Sequence, residues 1–222
     1  LTNRFAVAID GPAGSGKSSV ARAVAERYGC VHLDSGAFYR AVALFFRSNN
    51  IDLSSDESCE DALGRIHFSI SDGSIFLNGT IVNEEIRTIE ISQIASLVSA
   101  KPSVRIFVTE TIRELVRNKS VVMDGRDIGT VVLPDAEVKI YVTASLEERA
   151  KRRQKELGEK GISSTIDDML QEIQERDQRD TTRSIAPLKP APDAVIIDTT
   201  GLTFDEVLSS ACAVIDDKIE RE

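Results

Sequence analysis

Phe5 to Ile9 is a short apolar run that stops at Asp10, and a glycine-rich turn follows it. From Lys17 the period changes. Val20, Val24 and Tyr28 recur at helical spacing with Ala21 and Ala25 beside them, the stripe of an amphipathic helix. Val31-His32-Leu33-Asp34 is a second strand ending in an acid, and a helix is expected over 38–47. The middle of the chain then alternates over very short spans. His67 to Ser71, Ser74 to Leu77 and Thr80 to Val82 are β-like, separated by Asp72-Gly73 and Asn78-Gly79. Asp-Gly and Asn-Gly between apolar runs are strong hairpin signals, because both central residues of a type I′ turn need φ > 0. A small three-stranded antiparallel meander is therefore expected here.

Beyond it the longer pattern returns. A helix around 104–116 leads to the buried-strand run Val121-Val122-Met123, capped by Asp124; further strands are expected at 138–142 and 194–197. Ser145-Leu146-Glu147-Glu148, Thr165-Ile166-Asp167-Asp168 and Thr203-Phe204-Asp205-Glu206 read as capping boxes that open helices. Phe204, Val207, Leu208, Ala211 and Ile215 form the stripe of the last one. Continuous apolar strands alternating with helices mean a parallel sheet covered on both faces. Pro187-Leu188-Lys189-Pro190-Ala191-Pro192 reads as a stiff connector into the last strand.

Composition narrows the class. The 222 residues are 41% hydrophobic and carry a formal net charge of −9. That suits a globular protein with a full core. The acidic balance argues against non-specific binding to nucleic acid or an anionic membrane, so an anionic substrate must be held by a local basic cluster. Three widely spaced cysteines, Cys30, Cys59 and Cys212, form neither a disulfide framework nor a metal-ligand spacing. The first residues run straight into a strand with no signal-peptide core. No apolar stretch approaches the roughly 20 residues of a membrane span. A soluble, cytoplasmic and monomeric protein is expected.

Gly11-Pro12-Ala13-Gly14-Ser15-Gly16-Lys17-Ser18 matches GxxxxGK[ST] in full, between an apolar strand and an amphipathic helix. Its backbone N–H groups are expected to cradle the phosphates of ATP, with the helix dipole behind them. Lys17 would reach the β and γ phosphates, and Ser18 would offer its hydroxyl to Mg²⁺. A regulatory GTPase would also need NKxD, and Asn118-Lys119-Ser120-Val121 lacks the aspartate. A small P-loop kinase remains, and such an enzyme needs arginines to hold an acceptor and neutralise the transferring group. Arg149, Arg152 and Arg153 fall on one helix face, as do Arg176, Arg179 and Arg183, with the turn Gly158-Glu159-Lys160-Gly161 between the sets. This is the pattern of a closing lid; each arginine taken singly also suits a solvated face.

Asp34-Ser35-Gly36-Ala37-Phe38-Tyr39-Arg40, Asp124-Gly125-Arg126-Asp127-Ile128-Gly129-Thr130 and Glu175-Arg176-Asp177-Gln178-Arg179-Asp180 resemble the signatures of the bacterial-type cytidylate kinase family, over nearly the whole chain. The resemblance implies a P-loop NTPase-type α/β fold with an inserted meander and a helical lid. The core would span about 1–57, 96–148 and 184–222, the monophosphate-binding insertion about 58–95 and the lid about 149–183. It implies transfer from Mg·ATP to CMP or dCMP. Gly11 to Ser19, with Arg149 and Arg152, would bind ATP; Lys17, Arg126, Arg153 and Arg183 would be catalytic. Ser35, Arg40, Arg126 and Arg183 would hold the CMP phosphate, beside Gly125, and Arg176 and Asp180 would face the sugar. Asp127, Arg105 and Ser96 would read cytosine, the carboxylate accepting from N4 where uracil presents an oxygen. From the residues alone, Asp127 suits a helix cap or structural ion pair better than a base reader. Asp124 suits either a water on Mg²⁺ or a structural turn. Thr181-Thr182 stands where the family often has another arginine, and Ser18-Ser19 departs from its frequent Gly-Thr. A UMP/CMP kinase, or a nucleotide sensor that turns nothing over, are the competing readings.

Overall fold

The computed structural model describes residues 5–71, 73–159 and 161–219. Residues 1–4 ahead of the opening run, Asp72 of the first hairpin turn, Lys160 of the expected lid turn and residues 220–222 of the expected core lie outside them. The chain divides into two compact units, Leu1–His32 with Ser120–Glu222, and Leu33–Lys119.

The first unit is built on a five-stranded sheet. Its strands are β1 (Ala6–Asp10), β2 (Val31–Asp34, the division falling after His32), β6 (Val121–Gly125), β7 (Val138–Thr143) and β8 (Val195–Asp198), in the order β2-β6-β1-β7-β8. β1 pairs in parallel with both β6 and β7, and β7 with β8. The central strands are apolar throughout because both faces are covered: all five residues of β6 and four of the five in β1 are buried. Helix α1 (Lys17–Tyr28) lays Val20, Ala21, Val24 and Ala25 on this sheet. Helix α8 (Phe204–Ile219) adds Val207, Ala211, Cys212 and Ile215 to the same core. Thr203 and Glu206 form the expected box at its start, Thr203 N–H donating to Glu206 Oε2 at 2.8 Å.

Helices α6 (Leu146–Glu159) and α7 (Ile166–Thr182) pack on each other through a small core of their own, Ala150, Leu157, Met169 and Ile173. Thr165 and Asp168 cap α7 reciprocally. At Ser145 only half of the expected box forms. Its hydroxyl accepts from Glu148 N–H at 3.2 Å, but its own N–H donates to Thr200 Oγ1 and Glu148 accepts from Arg152 instead. An arginine one turn on competes for the carboxylate.

In the second unit, α2 (Ser35–Ser48) starts three residues earlier than its apolar stripe suggests. Helices α3 (Asp56–Leu63), α4 (Ile89–Val98) and α5 (Pro102–Val116) accompany the meander of β3 (Phe68–Ser71), β4 (Ser74–Leu77) and β5 (Thr80–Ile81). The strands pair antiparallel in that order. Asn78 and Gly79, at φ 50° and 82°, supply the left-handed pair that the second turn requires. Phe38 meets Phe68 edge-on at 5.3 Å in the unit's core.

Candidate active site

Asp10 and Gly125 are register partners on the parallel strands β1 and β6, so the two chains leave the sheet at the same end. This is the carboxyl end, where α/β sheets bind ligands. The phosphate loop follows Asp10, and Arg126-Asp127 follows Gly125.

The loop has the curl that the motif predicts. A Cβ on Gly11 would come within 2.0 Å of the Val142 carbonyl oxygen, so only glycine lets the chain pass over β7. Lys17, buried at the start of α1, donates to the Pro12 carbonyl at 3.1 Å and so folds back along the loop. Ser15 is buried and Ser19 exposed. Ser18 Oγ donates to Asp124 Oδ2 at 2.5 Å, and His32 Nε2 lies 2.9 Å from the other carboxylate oxygen. Asp124 is therefore held from two sides. One of its two partners is the motif's own serine. His32 carried no functional signal in the sequence; it reaches Asp124 only because β2 lies beside β6.

The two lid arginines expected on ATP are tied to the loop's backbone. Arg149 Nη1 donates to the Ala13 carbonyl at 3.2 Å and pairs with Asp177 at 2.6 Å. Arg152 Nη1 donates to Ser15 O at 3.3 Å and to the buried Thr199 hydroxyl at 2.8 Å. Asp177, inside the quoted 175–180 signature but given no role there, and Thr199, to which no motif pointed, thus join the site. Arg153 turns elsewhere: it pairs with Glu156 at 3.0 Å and Glu172 at 3.8 Å on the helical hairpin.

After β6 the charges alternate. Arg126 Nε donates to Asp180 Oδ2 at 2.7 Å. Arg183 lies 3.9 Å from Asp180 and 3.4 Å from Asp127. Burial disfavours the Arg126 charge, but Asp180 beside it holds the guanidinium above its usual range. Burial likewise pushes the Asp180 carboxyl up, and Arg126, Arg176 and Arg183 outweigh it and hold the carboxyl low. Arg176 is thus among the charges that act on Asp180. Arg183 lies just past the helix, at ψ 141°, and Arg179 is exposed, so the three arginines do not share one face.

Within the second unit, Ser35 is the buried first residue of α2, and Arg40 pairs with Asp34. Arg105, buried on α5, donates to the Ser99 carbonyl at 3.0 Å and lies 5.3 Å over the Tyr39 ring. Ser96, half-buried on α4, accepts at its carbonyl from Ser99 Oγ.

A phosphate-cradling loop between the central strand and first helix of a parallel sheet, with an acid of the neighbouring strand on the loop serine, defines a P-loop nucleotide-binding protein. The family model for cytidylate kinase matches residues 7–217. A protein named cytidylate kinase from Thermosipho melanesiensis is 50% identical over 212 residues, covering 96% of this chain and 97% of its own. Another of that name from Pseudothermotoga lettingae is 46% identical over 220 residues, covering 99% and 98%. The chain belongs to the cytidylate kinase family. The fold is also that of an uncharacterized protein from Eubacterium ventriosum, at a TM-score of 0.54 and 14% identity, over 96% of this chain and 99% of the other. Among the described residues, no helix is long and apolar enough to cross a membrane.

Proposed function

We propose that this chain transfers the γ-phosphate of Mg·ATP to CMP or dCMP, giving CDP or dCDP and ADP, as a cytoplasmic monomer. The observation that carries the acceptor assignment is the charge alternation Asp127–Arg183–Asp180–Arg126, of which Arg126-Asp127 follows β6 at the same end of the sheet as the phosphate loop. It offers guanidinium forks to a phosphate and a carboxylate to an amino group within a few residues.

An oxygen of the CMP phosphate attacks the γ-phosphorus, and the bond from that phosphorus to the β–γ bridging oxygen breaks, leaving ADP. The acceptor is largely dianionic at pH 7, since its second pKa is about 6, so no general base is needed. Lys17 and the loop N–H groups hold the β and γ phosphates, Arg126 and Arg183 hold the acceptor phosphate, and Arg176 and Asp180 the sugar. Arg153 joins only by exchanging Glu156 and Glu172 for phosphate, the step we assign to lid closure. Ser35, Arg40, Ser96 and Arg105 of the second unit complete the acceptor assignments by resemblance. The Ser18 hydroxyl and Asp124 carboxylate, 2.5 Å apart, are hard oxygen donors that fit Mg²⁺, directly or through water. When bound, Mg²⁺ neutralises charge on the triphosphate. Asp127 accepts from cytosine N4; uracil would set an oxygen against that carboxylate, a mismatch that discriminates well.

ADP release with Mg·ATP against CMP, dCMP, UMP and AMP, with Lys17→Ala and Asp127→Ala in parallel, tests the reading. Turnover with CMP and dCMP well above UMP is expected. Lys17→Ala should lower kcat by at least about a hundredfold, and Asp127→Ala should erase the CMP preference. Equal rates with CMP and UMP in the wild type would remove the base reader. No turnover with any acceptor would leave a sensor.

A further inference from the structure

Asp127 occupies the N-cap position of a π-helical turn, Ile128–Val132, yet its side chain makes no capping hydrogen bond. The first N–H groups of any such turn lack partners within it and must be satisfied by something else. An aspartate at the N-cap ordinarily does this itself. Here the donors are taken by a residue from a different strand. Asp10, at the end of β1, accepts from Ile128 N–H through one carboxylate oxygen and from Gly129 N–H through the other, each at 2.8 Å. Asp10 is 3% exposed, and Asp127 is equally buried. The geometry gives both amides to Asp10. The Asp127 carboxylate instead faces Arg183.

We infer that Asp10 is a positioning residue for acceptor choice: by capping the turn in place of Asp127, it keeps the Asp127 carboxylate available to cytosine. This rests on the base-reading role proposed above for Asp127. The arrangement also fixes Asp127 at φ −146° and ψ 28°, outside the helical and strand wells. The carbonyl of Asp127 accepts from Val132 N–H at 3.1 Å, closing the wide turn. π-turns of this kind gather at functional sites. Without the Asp10 carboxylate the two amides lose their acceptor, and Asp127, at the N-cap position, can turn to cap Gly129 N–H, which would withdraw it from the base.

The test is acceptor kinetics of Asp10→Asn. Asn keeps the volume and one acceptor oxygen but cannot serve both amides. KM for CMP should rise, and the CMP-over-UMP preference in kcat/KM should fall, each about tenfold, the scale of one charge-assisted hydrogen bond. KM for ATP should change less than KM for CMP, whereas general damage to the sheet would lower kcat with every acceptor. If the wild type prefers CMP and Asp10→Asn keeps that preference, the positioning role is overturned while the functional reading stands. If the wild type shows no preference, the Asp127 reading falls first. A second measurement needs no variant. In the wild-type protein, CMP should shift the backbone amide resonances of Ile128 and Gly129 more than UMP does; amides indifferent to CMP would also overturn the role.

Discussion

A buried carboxylate is expensive, and Asp10 carries that cost where it can be measured. Burial pushes its carboxyl from 3.8 up to about 6, although the Gly129 and Ile128 amides pull the other way. The sign follows from linkage. A raised folded-state pKa stabilises the fold fully below the unfolded value, and that stabilisation is lost as pH rises through about 6. Relative to Asp10→Asn, which cannot titrate, the wild type should lose about 2 kcal/mol of unfolding free energy between pH 4 and pH 7. Urea unfolding of both proteins across that range measures it; a flat or rising difference would contradict the raised carboxyl. The phosphate loop was legible because its chemistry is local, one turn of backbone around one anion. His32 and Asp10 were not, because each acts on a residue about a hundred positions away, His32 on Asp124 and Asp10 on the turn after Asp127.

At the level of elements, the runs and stripes marked where strands and helices would form, and the capping signals marked how the helices begin. Thr165 and Asp168 made the full box, and Ser145 made half of one, since Arg152 took the Glu148 carboxylate. The spacing of Arg176, Arg179 and Arg183 suggested a common face only while the helix was assumed to continue, and it stops at Thr182. The helical hairpin has its own small core, so its stability should be separable from that of the sheet. Ile173→Ala should cost about 2–4 kcal/mol, and Thr165→Ala about 1 kcal/mol. Hydrogen exchange should report both as faster exchange in α6 and α7, with β1 and β6 amides unchanged. Equal acceleration in the sheet would mean that the hairpin and sheet unfold as one.

For the whole molecule, strand order was the quantity that the sequence withheld. Apolar runs announce strands but not neighbours, and β1 finds both of its partners in the second half of the chain. The meander was the exception, because each hairpin turn joins strands that are adjacent in sequence as well as in space. A ligand held by the phosphate loop should stabilise the molecule by mass action. At a hundredfold excess over Kd, Mg·ATP should raise the unfolding temperature of the wild type by on the order of 5–10 °C. Lys17→Ala should lose most of that shift; an unchanged shift would mean that the nucleotide binds away from the loop.

Asp10 reaches its two amides across sequence separations of 118 and 119 residues. During synthesis the phosphate loop therefore leaves the ribosome long before the strands and turn that brace it. The meander and its helices can settle early on local contacts, while β1 must wait with its apolar edge unpaired. Nascent chains halted before β6 should thus fail to retain ATP, and those released after β7 should acquire it, so nucleotide capture would date the moment at which the sheet closes around β1.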